Sequence, residues 1–147
     1  MSGLPAPADV LPHRPPFLLL DEVTALEPGR SARGLWRLTG DEWFFPGHFP
    51  GRPTLPGVLM VESVAQLGAL AVLTDERFAQ RLPLFGGVDT ARFRRQAVPG
   101  DTLELEVELG RLSARAGKGH GRATVDGALA CELDLLFVLV DPVEAAG

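Results

Sequence analysis

"GHFPGRPTLPGVLMVESVAQLGALAVL", Gly47–Leu73, decides the fold of this chain. Its first part belongs to a longer passage, "FFPGHFPGRPTLPG", whose four prolines exclude a helix and a central strand. That passage is a loop held in a set shape, and either Phe49–Pro50 or Leu55–Pro56 is a candidate cis bond. Pro56 and Gly57 end it and start a helix, since proline is well tolerated at the first helical position. From Val58 to Leu73 the residues are good helix formers without a periodic polar face, so the helix is buried on most sides. Ala65, Gly68, Ala69 and Ala71 keep part of it thin enough for another backbone to approach.

The strands lie on both sides of this helix. "PFLLLDEVTAL" has a β-like apolar heart, and "ARGLWRLT" alternates as a second strand. "TDERFAQRLP" returns the chain to solvent, "LFGGVDTARFRR" reads as a strand and "VPGD" as a turn. In "TLELEVEL", Leu103, Leu105, Val107 and Leu109 alternate with Glu104, Glu106 and Glu108, as in an antiparallel sheet covered on one face. "HGRATV", Asp126-Gly127 and "ALACELDLLFVLV" read as a hairpin on a favoured two-residue turn. The sum is an α+β layer arrangement: one long central helix against an antiparallel sheet of five or six strands. The 147 residues form a single domain, with residues 1–10 and 142–147 as loose termini.

Bulk properties narrow the function. Hydrophobic residues at 46% and charged residues at 22% suit a globular protein. A net charge of −5 argues against nucleic acid, which requires a basic surface. Glu62 and Gln66 interrupt the longest apolar run, so no membrane span is expected, and no N-terminal secretion signal is visible. Cys131 is the only cysteine, which excludes an intrachain disulfide and cysteine-pair metal sites and fits a reducing cytoplasm.

Three residues of the opening stretch suit proton-transfer chemistry. Glu62 has apolar neighbours and no basic residue within a helical turn, and an unpaired buried charge costs several kcal/mol or more. Gln66, at i+4, lies where its amide reaches the carboxyl group. A carboxyl group taken out of water holds its proton more tightly and becomes a donor. His48 stands in the stiff loop beside apolar Phe49, and imidazole is the commonest general base. Gly57 opens the helix, where free amides favour negative charge and the missing side chain admits a substrate. A thioester carbonyl there would be polarised as its α-proton leaves. Other candidates read as structural: His13 as a fastener of the N-terminal segment, His120 as a turn residue, and Asp21, Asp89 and Asp101 as turn or strand-edge residues. Ser63 lacks a glycine elbow, and the three histidines include no i, i+4 pair for a metal.

"GHFPGRPTLPGVLMVESVAQ" resembles the active-site segment of the (3R)-hydroxyacyl-acyl carrier protein dehydratases of the FabZ type. The likeness extends through "LPHRPPFLLLDEV", "FGGVDTARFRRQAVPGDTLELEVEL" and "GRATVDGALACELDLLF", from Leu11 to Phe137. It implies a hot-dog fold, in which a curved antiparallel sheet wraps the helix. His48 and Glu62 match the family's catalytic pair, and Gly57 matches the glycine whose amide binds the thioester carbonyl. Gly57, Gln66, Phe49 and Val58 form the expected substrate-binding set.

The implied reaction gives a trans-2-enoyl thioester in fatty acid or polyketide synthesis, without metal or redox cofactor. Glu62 either donates a proton to the leaving hydroxyl or holds a catalytic water. The implied assembly is a dimer or trimer of dimers, with the histidine and the acid of each site on different subunits. Arg92, Arg94 and Arg95 are candidates for meeting the acidic carrier protein, or else form an ordinary solvated strand face. Two other functions fit the residues less fully: a hot-dog thioesterase, which would not require His48, and a non-catalytic acyl-carrier-binding subunit. The chain departs from the family in lacking tyrosine, with Pro15 where Tyr is frequent, and in Gln96 and Ala97 of "RRQAVPG".

Overall fold

The structure, a computed structural model, describes residues 3–142. One helical turn, α1 (Pro7–Val10), precedes strands β1 (Glu22–Glu27) and β2 (Ser31–Arg37). The long helix α2 (Gly57–Leu73) follows, then β3 (Leu82–Phe93), β4 (Thr102–Leu112), β5 (Ala116–Val125) and β6 (Ala128–Val140). All six strands join one antiparallel sheet in the order β1-β2-β4-β5-β6-β3. The helix packs across its inner face and touches every strand.

The alternation in β4 falls as the sequence predicts: Leu103, Leu105 and Val107 are buried under α2 and Glu104 and Glu108 are on the outer face. Asp126 and Gly127 both take positive φ, 50° and 79°, as the tight β5–β6 turn requires. Along α2, the side chains of Val64, Leu67, Leu70, Ala71 and Val72 are fully enclosed. The small residues of the helix serve contacts within the chain: the Gly29 amide bonds the Ala71 carbonyl at 2.8 Å, and Phe137 fills the space beside Gly68. From the sheet side, Gly121 of β5 makes room for Val64, and a Cβ at Gly121 would collide with Val64 Cγ1.

Several expectations are corrected. The N-terminal segment is not loose from residue 3 onward, since Pro7 is buried and Leu4 and Val10 pack on the core. The expected loose C-terminus lies outside the described residues from 143 on. "PFLLLDEVTAL" yields a strand only from Glu22, because the Leu19 amide bonds a helix side chain instead of a neighbouring strand. His120 sits within β5, not in a turn. Among the described residues the cis bonds are Pro15–Pro16 and His48–Phe49, and neither candidate X-Pro bond is cis. Among the described residues no helix is long and apolar enough to cross a membrane.

Gly121→Ala tests the seating of the helix. Val64 is β-branched and fully buried, so it cannot rotate away from an added methyl group. The variant is expected to lose about 1–3 kcal/mol of stability, read from chemical denaturation midpoints.

Candidate active site

The Pro-rich loop places His48 by a reciprocal clamp. The Thr54 amide donates to the His48 carbonyl at 2.8 Å, and His48 Nδ1 lies 2.8 Å from the Thr54 carbonyl. A carbonyl only accepts, so Nδ1 carries a proton and, in the neutral ring, Nε2 keeps its lone pair. Phe49 stacks on the imidazole with ring centroids 4.1 Å apart. The loop itself is docked by the Leu55 amide on the carbonyl of Ala97, which is fully buried. The irregular "RRQAVPG" is therefore the seat of the loop.

His48 lines a cavity of about 610 Å³ with Thr54, Leu55, Gly57, Val58, Met60, Phe93, Arg94, Arg95 and Gln96. The first turn of α2 opens onto it. The Pro56 carbonyl accepts from the amides of Leu59 and Met60, so those of Gly57 and Val58 precede the internal bonds of the helix. Phe93 packs against Gly57, where a Cβ would stand 2.9 Å from its ring. Val58, 73% exposed, is the most open apolar side chain here. Arg94 and Arg95 stand at this cavity, whereas Arg92 is not part of its lining.

Glu62 occupies a second cavity of about 270 Å³, with His13, Phe17, Ala65, Gln66, Ala69, Leu84, Phe85 and Phe137 among its walls. In one chain, therefore, the predicted pair His48 and Glu62 line different cavities. Glu62 is also less enclosed than its sequence neighbours imply, its side chain being 19% exposed. Gln66 is almost wholly buried. Its Oε1 accepts from the Leu19 amide at 2.8 Å, and its Nε2 donates to the Phe17 carbonyl at 2.9 Å and to Glu62 Oε2 at 2.8 Å. The two backbone partners fix which end of the amide is oxygen, so the donor end must face Glu62.

His13 does more than fasten a segment: its Nε2 lies 3.7 Å from Glu62 Oε2. Burial lowers the pKa of His13, and the Glu62 charge opposes that shift. Ser63 Oγ donates to the Met60 carbonyl at 2.8 Å, which occupies it within the helix. Thr54 and Phe93 were not legible as site residues. Thr54 acts through its backbone, which leaves no side-chain signature, and Phe93 arrives from a distant strand.

A sequence model of the FabA-like domain matches residues 11–134. The chain belongs to this family. Among FabA-like proteins it is similar to 3-hydroxyacyl-(acyl-carrier-protein) dehydratases named FabZ. The relative from Moorella thermoacetica is 54% identical over 135 residues, covering 92% of this chain and 94% of that protein. The one from Herpetosiphon aurantiacus is 50% identical over 132 residues, covering 90% and 94%. Among solved structures, the dehydratase heterocomplex ApeI:P from Xenorhabdus doucetiae superposes with a TM-score of 0.81 at 18% identity, covering 97% of this chain and 96% of that one. A mutant thioesterase from Pseudomonas aeruginosa gives a TM-score of 0.65 at 18% identity, covering 84% and 82%. These superpositions place the fold of this FabA-like chain as hot-dog.

Gln66→Leu would leave the buried Leu19 amide and Phe17 carbonyl without partners. A loss of at least about 2 kcal/mol is expected, seen as a lower denaturation midpoint with the sheet spectrum retained.

Proposed function

We propose that this chain removes water from (3R)-3-hydroxyacyl thioesters carried on acyl carrier protein, giving the trans-2-enoyl thioester. The observation that carries this reading is the tautomer of His48: its Nδ1 proton is committed to the Thr54 carbonyl, so Nε2 is the base available at an apolar cavity. Sequence similarity to FabZ dehydratases along most of both chains supports it.

In this reading the acyl thioester enters the larger cavity with its carbonyl at the start of α2. Nε2 of His48 takes the α-proton, and the electron pair of that C–H bond moves toward the carbonyl. The Gly57 amide and the positive end of the helix stabilise the oxygen charge. Glu62 donates its proton to the β-hydroxyl, the C–O bond breaks, the C=C bond forms and water leaves. His48 is then cationic and Glu62 anionic, and proton return from one to the other resets the pair.

Because His48 and Glu62 line separate cavities of one chain, the reading takes the two groups of each site from two subunits. The exposed apolar residues of edge strand β3, Leu84, Phe85, Val88 and Phe93, support association, since an uncovered apolar edge is a hazard. A dimer is the smallest assembly that meets this need, and a trimer of dimers meets it as well. Arg94 and Arg95 at the cavity mouth, with Arg92 nearby on β3, suit an acidic carrier protein. The lone Cys131, its thiol pushed up to about 11 by burial, with the neighbouring Glu132 charge adding to it, fits the reducing cytoplasm as the site of action.

Turnover decides the reaction class. Incubated with a crotonyl thioester, the protein is expected to form the 3-hydroxy product by the reverse reaction; release of free thiol would indicate a thioesterase, and no turnover a non-catalytic subunit. His48→Ala and Glu62→Gln should each lower kcat by about 10²–10⁴-fold. Mixed and allowed to reassort, the two inactive variants should recover about a quarter of wild-type activity, because half of the dimers then carry one intact site. No recovery on proven subunit exchange would place both groups on one chain.

Reversing the charge of Arg94 and Arg95 together should raise KM for the carrier-bound substrate about tenfold and weaken its salt dependence. The KM of a short pantetheine thioester should stay within about twofold of wild type, as steering acts on the carrier.

A further inference from the structure

We propose that His13 is a positioning residue for Glu62, holding Oε2 so that Oε1 is the oxygen presented to the β-hydroxyl. The inference rests on the dehydratase reading, which wild-type turnover tests before any His13 variant is made.

The two oxygens of Glu62 are not equivalent. Gln66 Nε2 donates to Oε2 at 2.8 Å, and His13 Nε2 approaches the same oxygen to 3.7 Å. No hydrogen bond to Oε1 is formed among the described residues. His13 Nδ1 is buried and, among the described residues, has no hydrogen-bond partner. An imidazolium would leave an N–H unpaired at that buried position. The neutral ring with its proton on Nε2 leaves only a lone pair there and keeps an N–H on the nitrogen that stands 3.7 Å from Oε2. The lowered pKa of His13, with burial as its main cause, agrees with a neutral ring.

The two groups beside Oε2 come from different parts of the chain. Gln66 is one helical turn beyond Glu62, and His13 arrives from the segment before β1, which Gln66 itself ties down through Phe17 and Leu19. A carboxyl group hydrogen-bonded at one oxygen by Gln66 and flanked at the same oxygen by His13 is restricted in rotation. Its other oxygen then keeps a fixed place on the wall of the cavity shared with Phe17, Phe85 and Phe137.

The test separates a donor from a packing role. His13→Phe keeps a ring without the N–H, and His13→Gln keeps an N–H donor that cannot titrate. His13→Phe is expected to lower kcat by about tenfold to a hundredfold with KM within about twofold, and His13→Gln to stay within about threefold of wild type. In a Glu62→Gln background, adding His13→Phe should change the residual rate by less than about twofold, because the group it acts through is already gone. Wild-type kcat in His13→Phe would overturn the proposal. So would a His13→Gln rate as low as that of His13→Phe, or a further tenfold loss in the Glu62→Gln background. Should His13→Phe fail to fold, His13→Met, of similar reach and without a donor, takes its place with the same outcomes.

Discussion

One buried amide orders much of this molecule. Gln66 sits in the middle of a helix whose surroundings are otherwise apolar, and each of its polar atoms left unmet there would cost about 1–3 kcal/mol. The chain meets that demand with the backbone of residues 17–19, which approach α2 instead of joining the sheet. That choice places Phe17 on the wall of the Glu62 cavity and His13 beside the carboxyl group. It also leaves one amide hydrogen of Gln66 free for Glu62. The course of the N-terminal segment and the setting of the acid are thus tied to a single polar side chain.

Most of the architecture is legible because its signals are local. The Pro56-Gly57 junction marks the start of α2, the alternation from Leu103 to Val107 marks a one-sided strand, and Asp126-Gly127 marks a hairpin. The failures come from residues whose role is tertiary. Gly119 and Gly121 flank His120, yet they belong to β5, and Gly121 is there to clear Val64. The same glycines disguise His120, whose Nδ1 instead pairs with Asp134 across the β5–β6 ladder at 2.8 Å. Among the candidate site residues, His48, Gly57, Glu62 and Gln66 are visible by type and spacing. The Thr54 carbonyl is not, because any residue supplies one, and His13 is separated from Glu62 by the whole of β1, β2 and the loop.

The sheet order gives edge strand β3 a special position. Its neighbour β6 is largely buried on one face, yet most of β3 itself is exposed, including Phe85 and Phe93. Those two rings touch different cavities: Phe93 packs at the start of α2 beside His48, and Phe85 lies with Phe137 near Glu62. In the proposed reading, the exposed apolar edge and the two separate cavities share one resolution, a second copy of the chain against β3.

Fold alone would not choose the reaction, since hot-dog chains described as dehydratase and as thioesterase both superpose on this one. The choice lies in how the base and the acid are mounted. In the proposed reaction the α-proton goes to a base with a fixed lone pair, a part that suits His48, tied to Thr54 at both backbone and ring. Departure of the hydroxyl calls for a donor held in place, and the Gln66 bond to Oε2 from within the helix suits Glu62 to that proposed part. On the proposed reading, two groups of opposite proton duty, each held by its own local device, would make an elimination site from a scaffold that does not otherwise specify one.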